Sequence, residues 1–368
     1  MIQNVINFIS GKLLRLESRL GLFFSSLVIA TVMLACAMLY AQPVLTVAFH
    51  GIQFSLLSEH PFDFSLINPM RYRILSPLIG YLFFLRGTYF FILPLLVTWL
   101  LIGTVYYQYR RKNFEAIDAF LLTCFISFSC VVLIPLVAPG YTDVVTWFLV
   151  FLAFIKAEKP GVSATFYALA LLNHESSAVV LPAMLLYAWS KNKNAAGRIL
   201  TFYLLACLPH LCYRWYVNAH SATLYNLSFY LSEKNVLFTL KRIILFGPVA
   251  AFYTFKLWWL LPLCLAGFTI LRKKKLQASI LVLILAGTFS LIIISYDYTR
   301  MLVIAFPAVL LSYEWLLEMD KAKLRKFTIV LVALNFLILQ YHFNYDGAQP
   351  MFPWILNKFS AMLGTPLN

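Results

Sequence analysis

Long apolar runs follow one another through most of the sequence, and they constrain the fold more than any other feature. The first run, residues 20–42, contains no charged side chain. A transmembrane helix needs about 20 predominantly apolar residues, so this run is long enough to cross a bilayer. Charged residues make up 12% of the chain and the mean hydropathy is +0.83, whereas soluble domains contain roughly 25% charged residues. The sequence therefore predicts a polytopic, all-α membrane protein, and it excludes a soluble enzyme, a nucleic-acid-binding module and a disordered chain.

Eleven segments are candidate membrane spans, several of them short. They are residues 20–42, 88–108, 115–136, 143–157, 161–173, 176–190, 198–212, 257–271, 276–295, 299–317 and 327–342. The apolar segment Ile74–Leu85 is too short to cross, and we expect it to lie in the interface or to dip back. Residues 235–254 are expected to form a second such element. The predicted fold is one transmembrane helix bundle, residues 1–368, of about 11 spans, with interfacial helices in a long first outer loop.

The distribution of basic residues predicts the orientation of the bundle. The net charge is +15, with 29 Lys and Arg residues. With the N-terminus in the cytoplasm, most of these residues fall in alternate loops, as at residues 110–112 and 272–275. Cytoplasmic loops are enriched in Lys and Arg. We therefore expect a cytoplasmic N-terminus, an extracytoplasmic C-terminus and no nucleic-acid partner.

The scarce ionisable residues gather at the predicted outer ends of the spans. They lie in four places: the first outer loop (Glu59, His60, Asp63, Arg71 and Arg73), residues 139–143, residues 173–176 and residues 297–300. All six histidines also lie at or beyond outer ends: His50, His60, His174, His210, His220 and His342. Any chemistry is thus expected at the outer face.

Each of these segments also has a purely structural explanation. The acids and arginines of the first loop could be solvated or act as interfacial anchors. Asp143 begins a helix, where a carboxylate satisfies free N–H groups and complements the helix dipole. Asp297 and Arg300 could pair with each other. The His174–Glu175 pair is the hardest to explain in this way, because it lies between two short apolar runs, where ionisable groups are costly.

Considered together, these residues suit a lipid that carries a phosphate. Carboxylates can deprotonate an acceptor hydroxyl or hold a divalent cation. Arginine and histidine can bind a phosphate, and arginine can do so with two parallel hydrogen bonds. A headgroup would lie at the membrane boundary and its chain between the helices.

The arrangement resembles the GT-C superfamily of membrane glycosyltransferases, which use polyprenyl-phosphate sugars, and in particular its uncharacterised bacterial members. The matching segments are Asp63 in the loop after the first span, Ser76-Pro77-Leu78 to Arg86-Gly87, Pro139-Gly140-Tyr141-Thr142-Asp143, Asn173-His174-Glu175-Ser176 and Asp297-Tyr298-Thr299-Arg300. The resemblance covers most of residues 1–190, expected to be the catalytic half, and one later site. Residues 191–368 would add further spans and outer loops.

The resemblance implies inverting sugar transfer from a polyprenyl phosphate at the outer face of a bacterial inner membrane. It implies catalytic roles for Asp63, Asp143 and Glu175, lipid-phosphate binding by Arg71, Arg73, His174 and Arg300, and supporting roles for Glu59, His60 and Asp297. Asp63 and Asp143 are also candidate ligands for Mg²⁺ or Mn²⁺. The expected partners are a polyprenyl-phosphate-linked sugar and membrane lipid.

Two other classes of function stay open at this point. A transporter or flippase of a lipid-linked sugar or other amphiphile could use the broken helices of residues 161–190 as a midplane site. A polysaccharide polymerase or an acyltransferase would also fit long outer loops. A catalyst concentrates polar residues at one face, whereas a carrier needs access from both.

Overall fold

A computed structural model describes residues 2–41, 43, 45–64, 68–220, 232–293, 295, 297–344 and 347–351. The structure is mostly helical, at 82%, which agrees with the predicted all-α class. The helices are α1 (Ile2–Tyr40), α2 (His50–Glu59), α3 (Leu75–Leu82), α4 (Ile92–Arg111), α5 (Ala116–Ser127), α6 (Cys130–Val137), α7 (Asp143–Ile155), α8 (Pro160–Asn173), α9 (Leu181–Lys191), α10 (Ala196–His220), α11 (Glu233–Phe255), α12 (Leu260–Leu271), α13 (Lys275–Leu291), α14 (Tyr298–Leu302), α15 (Phe306–Leu317) and α16 (Lys321–Leu337).

Short 3-10 segments and one hairpin complete the described chain. The 3-10 segments are Pro69–Tyr72, Gly87–Phe91, Glu175–Val180, Lys193–Ala195, Lys256–Trp259 and Val303–Ala305. Strands β1 (Gln340–Asn344) and β2 (Gly347–Met351) pair antiparallel. The hairpin corrects the expected span 327–342, because α16 ends at Leu337 and the chain then becomes extended.

The count of about eleven spans is not confirmed. Among the described residues, five helical stretches are long and apolar enough to cross a membrane, and a bent pair, Ala116–Ser127 with Cys130–Val137, would make six. The runs at 143–157, 161–173 and 176–190 instead fold into α7, α8 and α9, of 13, 14 and 11 residues. At 1.5 Å per residue these helices fall short of a hydrocarbon core about 30 Å thick.

The two predicted interfacial elements have different outcomes. The segment Ile74–Leu85 forms the eight-residue helix α3, which is too short to cross. The expectation for residues 235–254 is wrong in extent, because they belong to the 35-residue apolar stretch Leu237–Leu271. That stretch is broken at Lys256, whose backbone is left-handed at φ 51°.

Polar contacts between the segments that connect the helices fall into two separate groups. One group links the predicted outer segments, and it is the candidate site described below. The other links predicted cytoplasmic residues: Arg110 pairs with Glu17 at 2.6 Å and Lys112 with Glu314 at 2.9 Å. Arg325 pairs with the buried Asp118 at 2.6 Å. Residues that were predicted to lie at the same end of the bundle are thus in the same group of contacts.

The core of the bundle is formed by α5, α6 and α7, which are buried along nearly their whole length. Helix α4 and the α14–α15 segment pack around them, and α8 packs along α7. Apolar side chains cover these helices on all sides. The first turn of α7 and the end of α8 are therefore held rigidly, and this is where the candidate site begins.

Candidate functional site

The first turn of α7 presents Asp143 at the floor of the site. Asp143 is 4% exposed, and the chain reaches it through Gly140, whose φ of +93° few other residues adopt. A Cβ on Gly140 would lie 2.7 Å from Cα of Gly51 in α2. This close approach packs the first outer loop against the segment that precedes α7. His50 consequently stacks on Tyr141, with ring centroids 5.7 Å apart.

Asn173, the last residue of α8, ties three segments together. Its side-chain amide donates to the carbonyl oxygen of Thr142 and to Oγ1 of Thr146, both at 2.8 Å. Its carbonyl oxygen accepts a hydrogen bond from Ser76 of α3. Asn173 is fully buried, so these bonds fix the helix break at the next residue.

His174 occupies that break with extended backbone. Its Nδ1 accepts the backbone N–H of Ser176 at 3.1 Å, which leaves the proton of the neutral ring on Nε2. Nε2 lies 3.4 Å from Oδ1 of Asp143. Burial, together with the nearby Arg73 charge, lowers the pKa of His174 to about 4. His174 is therefore neutral at pH 7 and offers a phosphate an N–H donor instead of the expected cation.

Glu175 is held by Arg73 of the first loop. The guanidinium donates to both carboxylate oxygens, at 2.9 and 3.1 Å, and the Glu175 side chain keeps 40% exposure. Burial acts to raise the pKa of Glu175, but the Arg73 charge and the adjoining His174 outweigh it and hold that pKa well below the ordinary value. Glu175 is thus ionised, and its charge is matched by Arg73.

Arg300 lies between two carboxylates. Its Nη1 is 3.7 Å from Oδ2 of Asp143, and its Nε is 3.2 Å from Oδ2 of Asp297. The guanidinium also lies over the ring of Tyr141, 4.8 Å from the centroid, in a cation–π contact. Asp297 caps α14, because its Oδ1 accepts the backbone N–H of Arg300 at 3.2 Å.

The C-terminal hairpin supplies a partner for Asp297. Nε2 of His342 in β1 lies 2.7 Å from Oδ1 of Asp297. Burial alone would raise the pKa of Asp297, but the charges of His342 and Arg300 lower it. Burial would conversely lower the pKa of His342, and Asp297 raises it overall. Asp297 is therefore ionised, and it stabilises the protonated form of His342 next to it.

Several buried polar atoms of this cluster have no hydrogen-bond partner within the described part of the chain. They are Oδ2 of Asp143, Nε2 of His174, and Nε and Nη1 of Arg300. Buried polar groups in folded proteins are nearly always hydrogen-bonded. One acceptor and three donors without a hydrogen-bond partner thus lie near the first turn of α7, and this arrangement suits a ligand that has a hydroxyl and an anionic group.

The structure brings together most of the predicted site residues. Arg73 pairs with Glu175, and Arg300 pairs with Asp143 and Asp297. The neutral ring of His174 lies between these two groups of ion pairs, 3.4 Å from Asp143 and 3.8 Å from Glu175. The remaining predicted residues do not take part in these ion pairs. Asp63, Glu59 and His60 are exposed on and after α2, and Arg71 is buried with its Nε donating to the carbonyl oxygen of Asn68 at 3.0 Å.

Four residues of the site were missing from the predicted set: His50, Tyr141, Asn173 and His342. Two of them, Tyr141 and Asn173, stand inside segments that the sequence singles out. The other two share the outer-face bias of the histidines, which was the only signal for them. Their contacts depend on loop docking and on the hairpin, neither of which periodicity reveals.

The described carboxylates do not form a metal site. No group of three or more His, Cys, Asp or Glu residues within the described ranges is arranged to hold a metal ion. The exposed Asp63 and the buried Asp143 were the expected ligands. These two carboxylates therefore lie in different surroundings. The expected Mg²⁺ or Mn²⁺ stays a prediction, and the proposed reaction does not depend on it.

Comparisons with protein-family models, with curated proteins and with solved structures found no match. The chemistry of the site therefore has to be argued from the geometry of its own residues.

Proposed function

We propose that this protein is a membrane glycosyltransferase that moves a sugar from a polyprenyl phosphate to an acceptor hydroxyl with inversion. The observation that carries the proposal is the set of buried atoms on Asp143, His174 and Arg300 that have no hydrogen-bond partner within the described part of the chain. A carboxylate oxygen that can accept a proton lies beside donors that can receive a phosphate. The set lies at the start of α7, at the end of α8 and in the first turn of the candidate span Tyr298–Leu317, and a lipid phosphate would lie at such an end of a span.

The proposed reaction needs only these groups and the two substrates. The acceptor oxygen attacks the anomeric carbon as its proton passes to Oδ2 of Asp143. The bond between the anomeric carbon and the phosphate oxygen breaks, and the polyprenyl phosphate leaves with the bonding electrons. Arg300 and the Nε2–H of His174 stabilise the charge that develops on the leaving phosphate. Attack opposite the leaving group inverts the anomeric centre.

Arg73 and Glu175 have a different part in this proposal. Their charges match each other through two hydrogen bonds, so neither is left to balance a phosphate. Glu175 directly follows His174 in the chain. We therefore propose that the pair holds the chain in place at the helix break after α8, and that the partly exposed carboxylate of Glu175 faces the acceptor.

We also propose that the site faces the extracytoplasmic side of a bacterial inner membrane. The opposite group of polar contacts contains Arg110, Lys112 and Arg325, and basic loops favour the cytoplasm. This orientation places the N-terminus in the cytoplasm and the donor lipid in the outer leaflet.

The alternative function is a flippase for the same class of lipid. A carrier needs polar access from both sides. At the second end the buried Asp118 is held by Arg325, which also pairs with Glu115, at 2.6 and 2.7 Å. The buried atoms without a hydrogen-bond partner in the described chain on Asp143, His174 and Arg300 lie together at the other end, and this placement supports catalysis at one face.

The test is a reconstituted assay with the purified protein. Proteoliposomes are given polyprenyl-phosphate sugars and a panel of acceptor glycans, and release of polyprenyl phosphate is followed. We expect release from the wild type, and a loss of about 10²- to 10⁴-fold in Asp143→Asn. Asp320→Asn is the matched control, because Asp320 is a partly exposed helix cap at the other end.

Two outcomes would count against the proposal. Movement of the lipid between leaflets without release of polyprenyl phosphate would establish the flippase instead. Release that is unchanged in Asp143→Asn would remove Asp143 from the chemistry.

A further inference from the structure

We propose that His342 of the C-terminal hairpin is a positioning residue that sets the guanidinium of Arg300 through the carboxylate of Asp297. The kinetic part of this inference rests on the proposed function. The structural part does not, since it concerns only how three side chains of this protein are coupled.

Both ring nitrogens of His342 face oxygen atoms. Nε2 is 2.7 Å from Oδ1 of Asp297, and Nδ1 is 3.3 Å from Oε1 of Gln349. Gln349 is the residue that β2 pairs with His342 across the hairpin. An imidazole that donates from both nitrogens carries a positive charge. When protonated, the buried ring of His342 can thus donate to Asp297 and Gln349 at the same time.

The hairpin is fixed to the same helix that carries Arg300. The backbone N–H of Phe343 donates to Oγ1 of Thr299 at 2.8 Å. The Phe343 side chain is buried against Tyr298 and Leu302 of α14, and it stacks on Tyr253 of α11 with ring centroids 5.5 Å apart. His342 therefore has little freedom relative to α14, and a change in its charge acts directly on Asp297.

The charge of His342 acts on Asp297, and Asp297 in turn acts on the position of Arg300. Asp297 and Asp143 compete for the guanidinium, at 3.2 and 3.7 Å. When His342 is protonated, it shares the charge of Asp297, and Arg300 keeps its interaction with the Asp143 side, where the phosphate would bind. When His342 loses its proton, Asp297 draws Arg300 away from that side.

Within the described part of the chain, few other groups around His342 titrate. Asp297 and Arg300 face it from α14 and its cap, and both stay charged near neutral pH. Strand β2 contributes the uncharged Gln349, and α11 contributes the Tyr253 ring next to Phe343. The pH dependence that we infer is therefore that of His342 itself.

The kinetic test compares wild type, His342→Gln and the control His220→Gln between pH 6 and pH 9. His220 is exposed at the end of α10. We expect the rate of polyprenyl phosphate release by the wild type to fall as pH rises through the pKa of His342, which Asp297 holds above the ordinary histidine value. His342→Gln should be about tenfold slower at pH 6, a change of ~1.4 kcal/mol in barrier, and should lack the alkaline fall. A wild-type pH profile in His342→Gln would overturn the inference.

A second test does not need activity. Melting temperatures are measured in detergent for His342→Gln, Arg300→Lys and the double variant, and the set is repeated in an Asp297→Asn background. We expect the two changes to be non-additive in the wild type and additive in Asp297→Asn, because the coupling passes through that carboxylate. Additivity in both backgrounds would overturn the inference. If the wild type releases no polyprenyl phosphate, the proposed function fails while this test still decides the role of His342.

Discussion

The guanidinium of Arg73 binds the carboxylate of Glu175 through two hydrogen bonds of 3.1 and 2.9 Å, across 102 residues of chain. One partner lies in the first outer loop and the other at the break after α8. The contact therefore joins the loop to the segment that carries His174. It is also the best-matched ion pair of the site, and this matching separates it from the neighbouring Arg300, which is shared between two carboxylates.

Removing one partner of this pair should destabilise the protein more than removing both. Glu175→Gln leaves the partly buried Arg73 without its counter-charge, and we expect a loss of roughly 1–3 kcal/mol, between the values for exposed and buried pairs. The double variant with Arg73→Gln should regain part of that loss. Thermal unfolding in detergent measures both. Equal losses in the single and the double variant would mean that the pair does not hold the loop.

Because of His174, the free energy of unfolding should decrease as the pH is lowered below neutrality. Its folded pKa is about 4, whereas an unfolded histidine titrates near 6.5. Between these values the unfolded state binds more protons, so stability rises with pH from about 4 to about 6.5. The full contribution is up to roughly 3 kcal/mol at ~1.4 kcal/mol per pKa unit. We expect His174→Asn to flatten this limb of a plot of melting temperature against pH, while His220→Gln leaves it unchanged.

The convergence of the site could be anticipated from the sequence. Residues 139–143, 173–176 and 297–300 each interrupt apolar runs, and alternating helices place alternate breaks at one end of a bundle. Polar side chains at such breaks avoid the cost of burial only if they meet partners. This reasoning applies to Asp143, His174 and Arg300, which the structure places in one cluster.

Other features could not be anticipated, for physical reasons. Apolar composition shows that a segment is buried but not where its helix stops, so the runs between residues 143 and 190 were predicted as spans and are short helices. The pairing of Glu175 with Arg73 depends on how a loop docks. The contact between His342 and Asp297 depends on a hairpin that follows the last helix. No periodic pattern encodes these contacts.

The packing of the first outer loop can be tested by adding a single methyl group. A Cβ on Gly51 would lie 2.4 Å from the carbonyl oxygen of Pro139, so the backbone must shift. Gly51→Ala should cost about 1–3 kcal/mol and should displace His50 from Tyr141. Gly197→Ala, where nothing lies within 4 Å, is the matched control and should be neutral or slightly stabilising in the same melting experiment.

The two candidate acids should differ in how they affect transfer. Asp143 is buried between His174 and Arg300 and has an oxygen without a partner in the described chain, whereas Asp63 is exposed in the first loop. If Asp143 takes the proton, Asp143→Asn should abolish polyprenyl phosphate release at every pH. Asp63→Asn should then chiefly weaken acceptor binding, seen as a higher KM with kcat changed less than tenfold.

The opposite result is equally informative. A complete loss of kcat in Asp63→Asn, with an Asp143→Asn variant that keeps activity, would mean that the loop acid reaches the acceptor during the reaction. Asp63→Glu then distinguishes a base from a binding group, since a longer carboxylate keeps the proton acceptor but changes its position. Partial rescue of kcat by glutamate would assign Asp63 as the base, and Asp143 would then hold Arg300 for the phosphate.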